Sequence, residues 1–387
     1  MTAVLSSAYS LPLSILRRAL ALFLIVNAFS GTVLAQEEWG SGYGVEVNLL
    51  GGRMLKHTEK MGAALPEAVG GVELNLLQQT RGQKAWHAAR GYPQVGVGIA
   101  YTHYGLADVY GQCIAAYPNL QLPLLRHKHF EWTLRGGYGV GYVTRRYDRA
   151  GGDTLNRAIG SHLNNFSLFS TDLRYRPSKH WDIQAGFHFT HLSNAAARRP
   201  NLGLNVAGVH VGVRYFPVTS QPERSPVTAA QSPNRWWGAA RFGVAMQEEG
   251  PPDGPLFPVY LTSIYGGRRW RETNKVFIGV DASYHGFVEA FLKNNEINMG
   301  TEGRYAWKSA VFGGNEFLFG RTAVLVQFGV YVREAYLRLD PFYQKVGIQY
   351  YVRQREKGML KDVFFAALLK THKAQAELAE FGLGVGF

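Results

Sequence analysis

The fold is decided by residues 181–193, which read WDIQAGFHFTHLS. From Trp181 to Phe189 every second side chain is apolar or aromatic, whereas the residues between them are polar or small. Alternate side chains of an extended chain lie on opposite faces, so a period of two predicts a β-strand with one apolar face and one polar face.

The same alternation recurs at residues 130–142, at 275–284 and at the chain end, 381–387. Strands of soluble sheets usually run about 5 to 6 residues. The strands predicted here run about 10 residues or more and have polar faces rich in glycine, so they can cross a bilayer at a tilt. An open sheet edge in lipid would leave backbone groups unpaired, so the sheet must close. We therefore predict an all-β fold, an antiparallel transmembrane β-barrel.

The composition excludes several other classes of protein. Of the 387 residues, 46% are hydrophobic, 13% are aromatic and 18% are charged, and 45 are glycine. No stretch after residue 35 approaches the ~20 consecutive apolar residues of a membrane-spanning helix. Cys113 is the single cysteine, which excludes an intrachain disulfide. The chain is therefore not a helical membrane protein, a disordered protein or a disulfide scaffold.

Both ends of the chain predict export to the outer membrane. Arg17 and Arg18 precede an apolar core at 19–29, and small residues precede Gln36, which together predict a signal peptide over residues 1–35. The last strand ends in Phe387 and is similar to the terminal signal of outer-membrane barrels. We expect the mature chain to lie in the cell outer membrane.

Two halves are predicted, with about eight strands each. The first half spans 36–217, a Pro/Ser-rich linker spans 218–234, and the second half spans 235–387. Short matches between the halves predict that the second is a duplicated and degenerate copy of the first. One barrel of about 16 strands is the preferred architecture, and two tandem eight-stranded barrels is the alternative.

His191 and Ser193 are the exception to the apolar face. At a spacing of two residues they share the face of Trp181, which is predicted to contact lipid. Counted from a periplasmic N-terminus, their strand is the seventh, so the pair lies at its extracellular end. From spacing alone, polar residues that cap a strand at the membrane interface are the simpler interpretation.

The segments Thr190–Ala195 and Pro200–Gly203 resemble the lipid A 3-O-deacylase family of eight-stranded outer-membrane barrels. The resemblance covers the first half. It implies an esterase that removes an ester-linked acyl chain from lipid A, with Ser193 as nucleophile and His191 as base. It also assigns an oxyanion role to Asn194.

Asn205 is a departure from the family pattern. The family's third member is an acid twelve residues after the serine, and Asn205 occupies that position on the lipid face of its strand. A neutral amide can still accept the ring N–H of His191 through its carbonyl oxygen. We therefore expect a working dyad that is slower or differently supported. The oxyanion donors are expected from the Asn194 side chain or from backbone amides of the turn that ends at Ala196.

The expected partner is anionic. The formal charge of +13 in an exported chain favours anionic partners such as phosphorylated lipid head groups. The family resemblance implies that this partner is lipid A or another anionic glycolipid of the outer leaflet. No nucleic acid partner is predicted, because the basic residues stand singly in loops and at strand ends. No cofactor or metal is predicted, since His127 and His129 have no carboxylate or cysteine at useful spacing. The alternative function is a non-catalytic barrel, either a pore or a structural protein.

Overall fold

The computed structural model describes residues 42–56, 58–61, 64–217, 235–270, 273–336, 340–355, 357–373 and 375–387. The predicted signal peptide (1–35) and the predicted linker (218–234) lie outside the described residues.

Sixteen antiparallel strands form two closed barrels. The first barrel consists of β1 (Tyr43–Met54), β2 (Val69–Gln79), β3 (Gln94–His103), β4 (Gln112–His127), β5 (Phe130–Val143), β6 (Leu163–Tyr175), β7 (Trp181–Ser193) and β8 (Leu204–Tyr215). The second consists of β9 (Arg235–Glu248), β10 (Leu256–Trp270), β11 (Asn274–His285), β12 (Trp307–Phe319), β13 (Thr322–Glu334), β14 (Phe342–Gln354), β15 (Asp362–His372) and β16 (Gln375–Gly386).

Three short α-helices lie in the described connections between the strands. These are α1 (Ala85–Ala89), α2 (Gly286–Asn294) and α3 (Glu302–Tyr305), and a 3-10 turn covers Glu59–Met61. None of the helices in the described part of the chain is long and apolar enough to cross a membrane.

The strand pairing corrects the preferred architecture and confirms the alternative. β1 pairs with β8, from Val45 opposite Tyr215 to Met54 opposite Val206, and β9 pairs with β16. Each set of eight strands is therefore closed by its own first and last strands, and one 16-stranded barrel is wrong. The alternation of side chains has the same period in both architectures, so it predicts the strands but not the place where the sheet closes.

The outer faces of the strands are apolar, as the period of two predicts. On β7, Phe187 is 68% exposed and Ile183 is exposed, whereas Asp182 and Gln184 point inward and are buried. A belt of exposed apolar side chains around a closed barrel is typical of a lipid-facing surface. The described strands therefore form transmembrane β-barrels.

Buried polar networks fill the interiors. In the first barrel, Arg135 pairs with Glu46 at 2.9 Å and also with Glu73, and all three side chains are fully buried. In the second barrel, Arg241 pairs with Glu380 at 2.8 Å. An eight-stranded barrel is just wide enough for its interior to be filled by side chains. The charges inside are therefore neutralised by one another and not by solvent.

Loop length indicates which end of the barrels faces outward. Loops 55–68, 104–111, 144–162 and 194–203 share one end of the first barrel, and connections 80–93, 128–129 and 176–180 share the other. Extracellular loops of outer-membrane barrels are the longer ones. We therefore assign the extracellular side to the end that carries loop 194–203.

Residues 42–387 form one compact unit, in which the two barrels touch near their periplasmic ends. Just after α1, Nη2 of Arg90 donates a hydrogen bond to the carbonyl oxygen of Thr273, at 2.6 Å. The Arg90 guanidinium also lies over the ring of Phe319 at 4.7 Å, and Trp86 meets that ring edge-on. A cation over an aromatic face is attracted by the ring quadrupole, so this contact contributes to holding the barrels together.

Candidate active site

His191 and Ser193, the two polar residues on the apolar face of β7, lie at the extracellular end of the strand. His191 is half-buried, and Ser193, the last residue of β7, is 3% exposed. Both lie an even number of residues from Trp181 and Phe187, and therefore on the same outward face of the strand. Asn205 lies on β8 directly opposite His191, because the register of the two strands pairs these residues. Directly opposite residues on one face bring their side chains together.

Hydrogen bonds connect the three side chains in a row. Nδ1 of His191 is 2.6 Å from Oδ1 of Asn205, and Nε2 of His191 is 2.9 Å from Oγ of Ser193. An amide oxygen only accepts, so this contact places the ring proton on Nδ1 and leaves the Nε2 lone pair facing the serine hydroxyl. Ser193 then donates its proton to the imidazole, which is the geometry of a nucleophile with an adjacent base.

The turn after Ser193 has unusual backbone geometry. Ala195 has a φ of 53° and Ala196 a φ of 62°, so two consecutive non-glycine residues are left-handed. Each such residue costs about 1 kcal/mol or more, and conformations of this kind persist only when the surroundings hold them. Ala195 is fully buried. The turn is therefore a strained segment directly beside Ser193.

Asn194 anchors this turn to the first barrel. Its Nδ2 donates to Oγ of Ser161 at 2.9 Å, and its backbone N–H donates to Oδ1 of Asn201 at 2.9 Å. Its Oδ1 accepts from the backbone N–H of Arg198 at 3.2 Å. The backbone amide of Asn194 is thus already engaged, and its carboxamide is held by Ser161.

The remaining donors next to Ser193 lie further along the turn. No hydrogen bond from the backbone N–H of Ala195 or Ala196 occurs among the described residues. Asn201 is the residue that the sequence analysis did not single out. Its Oδ1 contact with Asn194 holds its carboxamide beside the residue that follows Ser193. Asn201 is part of the segment Pro200–Gly203, which carries the family resemblance. Its position beside the end of β7 is visible only in the folded loop.

Gly203 shapes the other side of the imidazole. It has a φ of 77°, and a Cβ atom there would lie 3.0 Å from Cε1 of His191. The absence of a side chain at this position therefore lets the loop close against the ring.

His127 and His129 are the two histidines that the sequence analysis considered as metal ligands. Among the described residues there is no group of three or more His, Cys, Asp or Glu side chains that could hold a metal ion. His129, one of the two histidines considered above, has its Nδ1 3.2 Å from the carbonyl oxygen of Arg176.

Each barrel matches a family model. Residues 70–214 match the family described as lipid A 3-O-deacylase (PagL), and residues 234–387 match the family described as acyloxyacyl hydrolase, C-terminal domain. The first match contains His191, Ser193 and Asn205. None of the curated proteins compared with the chain matches it.

Solved structures of outer-membrane proteins are similar to part of the chain. The crystal structure of the outer membrane enzyme PagL is 16% identical, covers 45% of this chain and 99% of its own, and has a TM-score of 0.31. Neisserial surface protein A (NspA) is 11% identical over 46% of this chain and 97% of its own, with a TM-score of 0.32.

Proposed function

Because the chain belongs to the lipid A 3-O-deacylase (acyloxyacyl hydrolase-like) family of outer-membrane β-barrels, we propose that it removes an ester-linked acyl chain from lipid A or a related anionic glycolipid. An esterase-type activity in the outer membrane follows from the family. The proposal adds the residues: Ser193 is the nucleophile, His191 is the base, and Asn205 orients the imidazole.

One observation carries the assignment. The hydrogen-bonded row Asn205–His191–Ser193 lies on the outer wall of the first barrel, at its extracellular end. A soluble esterase would place such a row in a cleft. Here the neighbouring outward side chains are apolar, with Phe187 68% and Val209 55% exposed. An acyl ester in the outer leaflet can reach this wall without leaving the membrane.

The chemistry proceeds through an acyl-enzyme. Nε2 of His191 takes the hydroxyl proton while Oγ of Ser193 attacks the ester carbonyl carbon. The tetrahedral intermediate collapses, the C–O bond to the sugar breaks, and His191 returns the proton to the leaving alkoxide. Water, deprotonated by His191, then attacks the acyl-serine and releases a free fatty acid and the original hydroxyl. Asn205 keeps the ring proton on Nδ1 throughout.

The negative charge of the tetrahedral intermediate needs nearby donors. The backbone N–H groups of Ala195 and Ala196 are the best placed in sequence, and Nδ2 of Asn201 is a third candidate. The Asn194 side chain is a weaker candidate than its position suggests, because it already donates to Ser161. A single donor of this kind contributes about 10²–10³ in kcat.

The test is the mass spectrum of lipid A from cells that produce the protein. Wild-type protein should yield lipid A that lacks one ester-linked acyl chain, whereas Ser193→Ala and His191→Ala should leave lipid A intact. Ser309→Ala is the matched control. This serine is half-buried, shares the outward face of Trp307 and lies at the extracellular end of β12 in the second barrel. It should behave as wild type. Intact lipid A in cells with folded wild-type protein, or full deacylation by Ser193→Ala, would refute the proposal.

A further inference from the structure

The loop that follows Ser193 is held in part by the second barrel. Residues 194–203 join β7 to β8, and Glu248 is the last residue of β9. Oε1 of Glu248 accepts a hydrogen bond from Nη1 of Arg198 at 3.0 Å, and Oε2 accepts one from the backbone N–H of Arg199. A carboxylate of one barrel thus binds the middle of a loop of the other.

Glu248 has no exposed surface. Burying a carboxylate is costly unless it is paired and hydrogen-bonded. Within the part of the chain that the structure describes, both hydrogen bonds to this carboxylate come from the first barrel. The burial of Glu248 is therefore compensated by loop 194–203, and the position of the loop depends on Glu248 in return.

Further contacts join the connection 249–255 of the second barrel to two loops of the first barrel, 194–203 and 144–162. Arg198 donates a second hydrogen bond to the carbonyl oxygen of Gly254 at 3.3 Å, and the Arg199 guanidinium binds Glu249. Arg146, on loop 144–162, lies 3.6 Å from Asp253. Exposed ion pairs contribute little by themselves. The buried acceptor at the centre of this cluster is therefore the element that dominates the contact.

Within the first barrel, the loop is held near its two ends and by the hydrogen bond from the backbone N–H of Arg198 to Oδ1 of Asn194. At the start, Asn194 binds Ser161, and at the end the backbone N–H of Gly203 donates to the carbonyl oxygen of Ala158 at 2.8 Å. The strained residues Ala195 and Ala196 lie between the first anchor and the Glu248 contact. Strained backbone persists only when the surrounding structure holds it, and the Glu248 contact is part of those surroundings.

We propose that Glu248 is a positioning residue through which the second barrel holds the oxyanion-binding turn next to Ser193. This inference rests on the proposed function. Glu248 does not touch the substrate; it acts through Arg198 and Arg199 on the amides of the preceding turn. A misplacement of about 1 Å in such a turn can cost 10²-fold in rate. The second barrel is then part of the active enzyme rather than an inert neighbour.

The test uses the full-length protein and lipid A in mixed detergent micelles. Glu248→Ala should lower kcat by roughly 10- to 100-fold and leave KM nearly unchanged, because the substrate-binding wall of the first barrel is intact. Glu248→Gln should give a smaller loss, since it still accepts from the Arg199 N–H, and it is also the variant to use if the alanine variant does not fold.

Glu334→Gln is the matched control. Like Glu248, Glu334 is buried and is the last residue of a strand of the second barrel, β13. It pairs with Lys308 at 2.7 Å. It should keep the wild-type kcat. Hydrogen–deuterium exchange supplies a readout that does not depend on catalysis: amides of residues 194–203 should exchange ~10- to 100-fold faster in Glu248→Ala, as expected for loss of a hydrogen bond to a charged acceptor.

The outcomes separate this inference from the proposed function. Wild-type kcat or unchanged exchange in Glu248→Ala, alongside an inactive Ser193→Ala, overturns the positioning role alone. Retained activity in Ser193→Ala overturns the proposed function, whatever Glu248 does. A lowered kcat with faster exchange, recovered in part by Glu248→Gln, supports the positioning role.

Discussion

At the scale of single residues, Asn205 is the most informative departure from the family pattern. Its Oδ1 lies 2.6 Å from Nδ1 of His191, which is where the carboxylate of an acid would accept the ring proton. An amide differs from a carboxylate in two respects: it carries no negative charge, and if it rotates it presents a donor to Nδ1 and favours the wrong tautomer. In a Ser-His-Asp triad this substitution can cost about 10⁴ in kcat, whereas Cys-His-Asn enzymes work with asparagine.

The substitutions Asn205→Asp and Asn205→Ala should therefore change kcat in opposite directions. Asn205→Asp should raise kcat by about 10-fold or more, because a carboxylate can only accept and also stabilises the imidazolium. Asn205→Ala should lower kcat by roughly 10- to 100-fold, because the ring loses its orienting partner. The measurement is kcat on lipid A in detergent micelles. A lower kcat for Asn205→Asp than for wild type would show that the amide is required in its own right.

At the scale of elements, the β7–β8 loop supplies the candidate oxyanion donors, which the two strands themselves do not provide. Strand register alone aligns His191 with Asn205. The amides of Ala195 and Ala196 follow Ser193 in sequence, whereas Asn201 reaches the end of β7 only because the loop turns back toward Asn194. Gly203 closes this loop at a φ of 77°, at a position where an added Cβ atom would lie 3.0 Å from Cε1 of His191.

Gly203→Ala should impair both the loop and the dyad. A left-handed φ costs a non-glycine residue about 1–2 kcal/mol, and the new Cβ would lie 3.0 Å from Cε1 of His191. We expect the imidazole to be displaced from its present position between Asn205 and Ser193, so kcat should fall by about 10- to 100-fold. Kinetics on micellar lipid A provide the measurement.

Gly152→Ala is the control for this substitution. Gly152 has a φ of 80°, and a Cβ there would meet nothing within 4 Å. It should lose similar stability but keep the wild-type kcat. Equal losses of kcat in both alanine variants would mean that loop strain, and not contact with His191, explains the effect.

At the scale of the whole molecule, side chains fill the interiors of both barrels, which argues against a pore function. Interior side chains such as Glu46, Arg135 and Arg241 have at most 1% exposure. Eight strands leave no aqueous channel once the interior is packed, in contrast to barrels of 16 to 18 strands. A single 16-stranded barrel, which we preferred from the sequence, would have permitted such a channel.

The purified protein should therefore show no steady ion conductance in a planar lipid bilayer. The reason is that the paired charges in each interior leave no continuous path for water. The positive control is a 16-stranded porin reconstituted under the same conditions. Stable conductance steps from this protein would contradict the closed, filled barrels and favour the alternative function.

The sequence by itself determined the fold class, the outward face of each strand and the His191–Ser193 pair. These are local properties, because a period of two assigns faces without reference to any partner strand. The position of Asn205 followed from the same face rule together with the family resemblance.

Only the tertiary structure decided where the sheets close, which amides remain near Ser193, and that Glu248 of β9 reaches the loop of the other barrel. Closure depends on which distant strands pair, as β1 does with β8. The Glu248 contact joins residues about 50 positions apart in sequence and on different barrels. Side-chain alternation carries no information on such long-range pairing, since it is identical whichever edges meet.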